Sequence, residues 1–258
     1  MKVKLLDYDK KAKEMLVFSK RTRHMSDEAS WQTVLDMSQD ELDKEIEYVF
    51  GTIGSSWEFV HYTFLITDVT RAFTHQMVRH RVGVAFAQQA QRVGTQEDFD
   101  YLLPPEIEKD PEASETYNDC MSVINVHYQK LLALGIRPQD ARGVLPTNIY
   151  TNIMVKINLR ALSDLLTVRL CLRAQGEFQN VAKLMRDEVL AVHPWVKPVL
   201  AVNCVRFGVC KFPRYTSCPV SNKLDYLKGI DSCEIEEEWM KHAGTDPQPE
   251  AGKDWKNG

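Results

Sequence analysis

No two of the twelve glycines in this 258-residue chain stand in a G-x-G arrangement. That removes the dinucleotide-binding Rossmann fingerprint, and no P-loop pattern occurs either. H-E-x-x-H and G-x-S-x-G are also missing. A chain of this kind that held a dinucleotide would have to grip its phosphates with side chains and strand backbone.

The cations are placed accordingly. Residues 75–94, "HQMVRHRVGVAFAQQAQRVG", set Arg79, His80 and Arg81 side by side before a small-residue, glutamine-rich run that ends at Arg92. The formal net charge is -4, so long-range attraction to nucleic acid or to an anionic membrane is not expected. Anions would be bound locally, by a few placed arginines. Hydrophobic content of 44% and charged content of 26% are ordinary for a globular chain. The N-terminus lacks the apolar core of a secretory signal, and no stretch approaches the length of a membrane span. Six cysteines are too sparse for a disulfide scaffold, which implies reduced thiols and a cytoplasmic location.

Periodicity gives alternating helices and strands. "KVKLLDY" reads as a first strand, residues 8–19 as a helix, and "SQDELDKEIEYVFGTI" as a helix opened by Ser38 with Asp40 and Glu41 in its first turn. "VHYTFLITDV" and "YTNIMVKINL" read as strands, with "TRAFTHQMV" as a helix after the first of them. Gly83 marks a break. If "VAFAQQAQRV" runs extended, Val84, Phe86, Gln88, Ala90 and Arg92 share one face. Further helices are expected from about Ser114 to Leu134, in "RPQDARGVLP", and from Ala161 to about Val192 with a bend near Gly176. The pattern implies one domain over residues 1–233, then a polar, solvated or disordered tail over 234–258.

In "LSDLLTVRLCLRAQ", Leu162, Leu165, Leu166, Arg169 and Leu172 follow helical spacing, so Arg169 falls on the core-facing stripe. A guanidinium there has to meet a carboxylate, a phosphate, a dipole or water. An internal ion pair or a snorkelling side chain satisfies this as well as a ligand does. Arg142 could cap a helix end or pair with Asp140. The cationic form of His80, between two arginines, is disfavoured by like charge. Cys204, Cys210, Cys218 and Cys233 lack the C-x2-C spacing of a zinc knuckle, so unliganded thiols and no metal are expected. Cys171 should face away from Arg169 and is not expected to act as a nucleophile. Small side chains at Ala85, Ala87 and Ala90 leave room for something flat to approach the backbone, and arginine forks beside such a strand suit phosphate or pyrophosphate.

"HQMVRHR…QQAQR" resembles the signature of the flavin-dependent thymidylate synthases, an R-H-R triplet followed by Ser-x-Arg. "SKRT", "WEFVHYTF", "ARGVLPTNIYTN" and "KINLRALSDLLTVRL" resemble further family segments in the right order, and the likeness covers about residues 13 to 220. It implies an α/β fold of the α+β kind, a non-Rossmann mixed sheet with a flanking helical bundle. Gln76, Arg79, Gln88, Arg92 and Arg142 would hold deoxyuridine monophosphate (dUMP), helped by backbone near Gln89 and Ala90. His61, Arg79, His80, Arg81, Gln88, Asn158, Arg160 and Asp164 would contact FAD. Arg169 would face the uracil and act in catalysis. The resemblance also implies NADPH as reductant, methylenetetrahydrofolate as carbon donor and a homotetramer with active sites shared between subunits.

The chain departs from the family pattern at Phe59, Ala85, Ala90 and Val93, where the family carries a histidine, two serines and a tyrosine. Each lost hydroxyl removes a hydrogen bond with a net value of about 1 kcal/mol. Two alternatives stand beside the main reading: a flavoenzyme that modifies C5 differently, leaving for instance a hydroxymethyl group, and a member that binds nucleotide or flavin without turnover.

Overall fold

The structure is a computed structural model that describes residues 1–22, 27–52, 54–212, 218, 220 and 241. The elements run β1 (Lys2–Tyr8), α1 (Ala12–Arg21), α2 (Glu28–Leu35), α3 (Gln39–Phe50), β2 (His61–Thr70), α4 (Arg71–Met77) and β3 (Val84–Gln88). They continue through α5 (Pro105–Glu108), α6 (Pro111–Ala133), α7 (Pro138–Ala141), β4 (Tyr150–Asn158), α8 (Leu159–Arg169), α9 (Gly176–Val192) and α10 (Asn203–Phe207). The strands form a four-stranded antiparallel sheet in the order β1-β2-β4-β3. Among the described residues, no helix is long and apolar enough to cross a membrane.

The chain divides into two compact units. One holds Met1–Lys2, Leu65–His80 and Phe86–Val155; the other holds Val3–Phe64, Arg81–Ala85 and the chain from Lys156 onward. By residue assignment, each of the four strands has members in both units.

The alternation read from the sequence is physical. In β2, Tyr62, Phe64 and Ile66 are wholly buried, and in β4 Ile153, Val155 and Ile157 alternate with exposed Asn152, Met154 and Lys156. Within the second unit α1 packs on α3, and α8 packs on α9. Leu162, Leu165 and Leu166 of α8 and Phe178, Val181 and Met185 of α9 are fully buried. Fully burying one such side chain contributes about 1.5–3 kcal/mol. Ser38 and Glu41 form a reciprocal capping box at the start of α3, which explains why that helix was legible.

In the first unit, Thr70 caps α4 through a 3.0 Å bond from the Phe73 amide. The first two amides of that helix bond to carbonyls just ahead of β4, Arg71 to Ile149 at 3.1 Å and Ala72 to Thr147 at 2.8 Å. Asn148, between those carbonyls, donates to the Leu102 carbonyl at 3.1 Å and to the Tyr117 hydroxyl at 2.6 Å.

Four expectations need correction. The extended run stops at Gln88, so Ala90 and Arg92 lie beyond β3 and do not share its face with Val84, Phe86 and Gln88. The long helix starts at Pro111, where Asp110 accepts from the Glu112 and Ala113 amides, not near Ser114. The helical stretch over 161–192 is two helices, separated between Arg169 and Gly176. α2 had no counterpart in the sequence reading. Apart from Lys241, the tail over 234–258 lies outside the described residues, as does Cys233.

Candidate functional site

The first unit carries Gln76, Arg79, His80, Gln88, Gln89, Ala90, Arg92 and Arg142 of the expected ligand contacts. α4 ends in two tight turns, with the Arg79 amide 3.3 Å from the Gln76 carbonyl and the His80 amide 3.1 Å from that of Met77. The triplet therefore begins at the carbonyl end of a helix, where cations are favoured. Arg79 and Arg92 are exposed, and no carboxylate lies within ion-pair distance of either among the described residues.

Gln88 is half-buried at the end of β3 and donates to the Thr74 hydroxyl at 2.8 Å. Thr74 in turn donates to the Arg71 carbonyl at 3.0 Å. The Gln89 amide is engaged, donating to the Asn152 carbonyl at 3.0 Å, while Asn152 Nδ2 donates to Gln89 Oε1 at 3.3 Å. The Gln89 N–H is thus already satisfied within the chain. Of the two readings for Arg142, the structure favours the cap: its Nε donates to the Gln139 carbonyl at 3.2 Å, whereas Asp140 pairs with Arg137 at 3.8 Å.

Arg71, the first residue of α4, was not among the expected contacts. Its Nε is shut from solvent and has no hydrogen-bond partner among the described residues. Burial above all, and then the charge of Arg142, hold its guanidinium below the ordinary arginine range. Nothing in "TRAFTHQ" marks this position, because the closing-off of its Nε is a tertiary property.

The second unit carries His61, Arg81, Asn158, Arg160, Asp164 and Arg169. The Arg160 guanidinium pairs with Glu58 at 2.7 Å, both half-exposed. The His61 amide donates to Asp9 at 2.6 Å, with Nδ1 3.6 Å from the same oxygen. Asn158 is buried and caps α8, accepting from the Ala161 amide at 2.8 Å. Its own amide donates to the Gly83 carbonyl at 2.9 Å. Gly83 has φ +70°, and a Cβ there would sit 2.4 Å from Asn158 Nδ2. The glycine break is therefore a close-approach position that only glycine fits. The Arg169 guanidinium lies 4.4 Å over the Phe178 ring. Asp164 is exposed, and its charge acts on Arg206 against the lowering by burial.

Burial pushes the thiols of Cys171 and Cys204 up, the latter to about 12. A thiol in that state is a poor nucleophile. Among the described residues, no group of three or more His, Cys, Asp or Glu is placed to hold a metal ion. A groove of about 450 Å3, lined by Phe50, Trp195 and Pro198 among others, includes none of the expected contacts.

The antiparallel four-stranded sheet with flanking helices and no Rossmann turn defines a mixed α/β class shared with a solved structure. Thymidylate Synthase X from Helicobacter pylori, crystallised with FAD and dUMP, matches with a TM-score of 0.59, at 22% identity, over 78% of this chain and 99% of that one. The flavin-dependent thymidylate synthase of Pyrococcus furiosus is 31% identical over 221 residues, covering 81% of this chain and 89% of the relative. That of Sulfolobus acidocaldarius is 32% identical over 210 residues, covering 80% and 78%. Residues 4–195 match the family model described as thymidylate synthase complementing protein. The chain belongs to that family.

Proposed function

We propose that this chain is a flavin-dependent thymidylate synthase that reductively methylates dUMP at C5, with methylenetetrahydrofolate as carbon donor and NADPH as reductant. The observation that carries this reading is the ordered set of Arg79, Arg92, Arg142 and Arg169 within a family match over residues 4–195.

The donor set fits the cofactor. Arg79 and Arg81 are exposed and pair with no carboxylate among the described residues, which suits the diphosphate of FAD. His61, His80, Gln88, Asn158, Arg160 and Asp164 complete the assigned FAD contacts. Arg160 would exchange Glu58 for the ligand or hold both. When bound and reduced, FAD supplies the hydride. The residues of the chain do the rest: Gln76, Arg79, Gln88, Ala90, Arg92 and Arg142 hold dUMP, and Gln89 contributes its side chain or carbonyl. Arg169, oriented on the Phe178 ring, faces the uracil and stabilises negative charge as it develops there. One preorganised donor of this kind contributes about 3 kcal/mol to transition-state stabilisation. No cysteine nucleophile is needed, in keeping with the raised Cys171 and Cys204 thiols.

A homotetramer with shared active sites completes the reading, and the five described cysteines, all free thiols, suit a cytoplasmic enzyme. The test is the visible spectrum of the purified protein with and without dUMP, followed by NADPH- and folate-dependent thymidylate formation. Flavin bands perturbed by dUMP and turnover that falls at least about a hundredfold in Arg169→Ala are expected. Active wild type with an unimpaired Arg169→Ala variant overturns the role of Arg169. Exposed Ala90 and Val93, 80% exposed in the latter case, motivate a second reading in which C5 receives a hydroxymethyl group. Mass spectrometry of the product separates the two.

A further inference from the structure

We infer that Asn152 is a positioning residue for the nucleotide: it fixes which way the Gln89 side-chain amide is turned, so that Gln89 presents a donor to dUMP. This rests on the nucleotide reading above and adds to it a residue outside the expected contacts.

Asn152 stands on β4, the strand between β2 and β3, and is exposed. On one side its Oδ1 accepts from the Asp68 amide at 3.2 Å. On the other its Nδ2 donates to Gln89 Oε1 at 3.3 Å, and its carbonyl accepts from the Gln89 amide at 3.0 Å. Asp68, Asn152 and Gln89 all belong to the first unit.

The Asp68 end is the one that cannot be reversed. Asp68 has φ 56°, a left-handed conformation that residues other than glycine seldom adopt. A backbone N–H can only donate, so the Asn152 atom that faces it has to be the oxygen. The other arm of the Asn152 amide is then NH2, which requires an acceptor. Gln89 accordingly turns Oε1 toward Asn152, and its own NH2 is the arm left for a ligand. The two arms of a side-chain amide are alike in shape, and their assignment follows from the hydrogen bonds around them. Here a single main-chain N–H decides two successive orientations.

The consequence falls where β3 ends. Gln88, its last residue, donates to Thr74 on α4, so two consecutive glutamines are tied to different neighbours. The expected contacts Ala90 and Arg92 follow directly. Phosphate oxygens and uracil carbonyls are acceptors. A Gln89 side chain that offers NH2 suits them, whereas one that offers its carbonyl opposes them.

The experiment is calorimetric titration of the flavin-loaded full chain with dUMP. Wild type is compared with Asn152→Ala, Asn152→Asp, Gln89→Ala and both Asn152 variants in the Gln89→Ala background, with flavin content and oligomeric mass measured on each. Asn152→Ala frees the Gln89 amide to turn and should weaken dUMP about threefold to tenfold, the net value of one hydrogen bond. Asn152→Asp keeps the shape and the acceptor for Asp68 but replaces the donor by a second acceptor. It should draw the Gln89 NH2 to itself, leave a carbonyl facing the nucleotide, and weaken dUMP more than Asn152→Ala does. Flavin content and mass should not change. In the Gln89→Ala background Asn152→Ala should cost no further affinity, and the excess penalty of Asn152→Asp should shrink. If Asn152→Ala does not fold, Asn152→Asp with and without Gln89→Ala carries the test. Unchanged dUMP affinity in the folded variants, Asn152→Asp no worse than Asn152→Ala, or losses that simply add to that of Gln89→Ala overturn the inference. So does an Asn152→Asp penalty undiminished by Gln89→Ala, which is charge repulsion alone. Wild type that binds no dUMP overturns the nucleotide reading itself, whereas wild type that binds beside indifferent variants overturns only the role of Asn152.

Discussion

The guanidinium carbon of Arg169 lies 4.4 Å from the centroid of the Phe178 ring, so a half-buried cation at the end of α8 is seated on an aromatic at the start of α9. Such a contact contributes about 0.5–2 kcal/mol and holds the fork in one plane. Phe178→Leu should lower kcat about tenfold, with a smaller change in KM for dUMP, because it unseats a group needed in the transition state. Phe178→Ala adds a cavity and should cost about 3–5 kcal/mol of stability. Steady-state kinetics and denaturant melts separate the two effects.

Gly83→Ala places a methyl against Asn158 at a position with φ +70°. The backbone strain alone costs about 1–3 kcal/mol, and the Asn158 cap of α8 is displaced as well. A lowered melting temperature with reduced flavin content is expected. Asn158→Ala should cost about 1 kcal/mol through loss of the cap.

The Arg160–Glu58 pair is half-exposed on both sides, so removing either partner should change stability by less than about 1 kcal/mol. Their effects on flavin should differ. Arg160→Ala is expected to lose FAD on desalting, whereas Glu58→Gln retains it, as read from the ratio of flavin to protein absorbance.

His193 is buried, and its Nδ1 lies 3.0 Å from the Tyr62 hydroxyl, which burial keeps protonated. Burial lowers the His193 pKa, with Lys13 acting in the same sense and Asp9 opposing. The folded protein therefore takes up this proton less readily than the unfolded chain. The resulting stabilisation is complete above the unfolded value of about 6.5 and is lost as pH falls below it. Melting temperatures between pH 8 and pH 5 should drop for wild type and flatten for His193→Gln, which starts lower.

Cys120 is exposed, whereas burial pushes Cys204 up to about 12. Alkylation of the native protein at pH 8 should label Cys120 first and Cys204 last, with the order collapsing in denaturant. Peptide mass spectrometry at timed quenches reads this directly.

Much of the fold was legible where local and global forces agree. β2 and β4 alternate because one face is buried, and α3 is announced by its own capping box. β3 was read too long, because nothing local shows that pairing with β4 ends beside Asn152. α2 was missed, its apolar positions being few in a short helix. In the site, Arg169 was recognised as a cation that needs company, but its seat on Phe178 depends on a helix seven residues further along. Arg71 was invisible: an arginine in a helical pattern reads as surface until packing closes water away from its Nε.

The bonds from the first two amides of α4, Arg71 to Ile149 and Ala72 to Thr147, make two stretches, 78 and 75 residues apart at these bonds, answer to each other. An inherited change that shifts the backbone around Thr147 is felt at Arg71 before any ligand is touched. Lineages that drift at one stretch would have to drift at the other, and chimeras that swap only one of them should fail where those that swap both succeed.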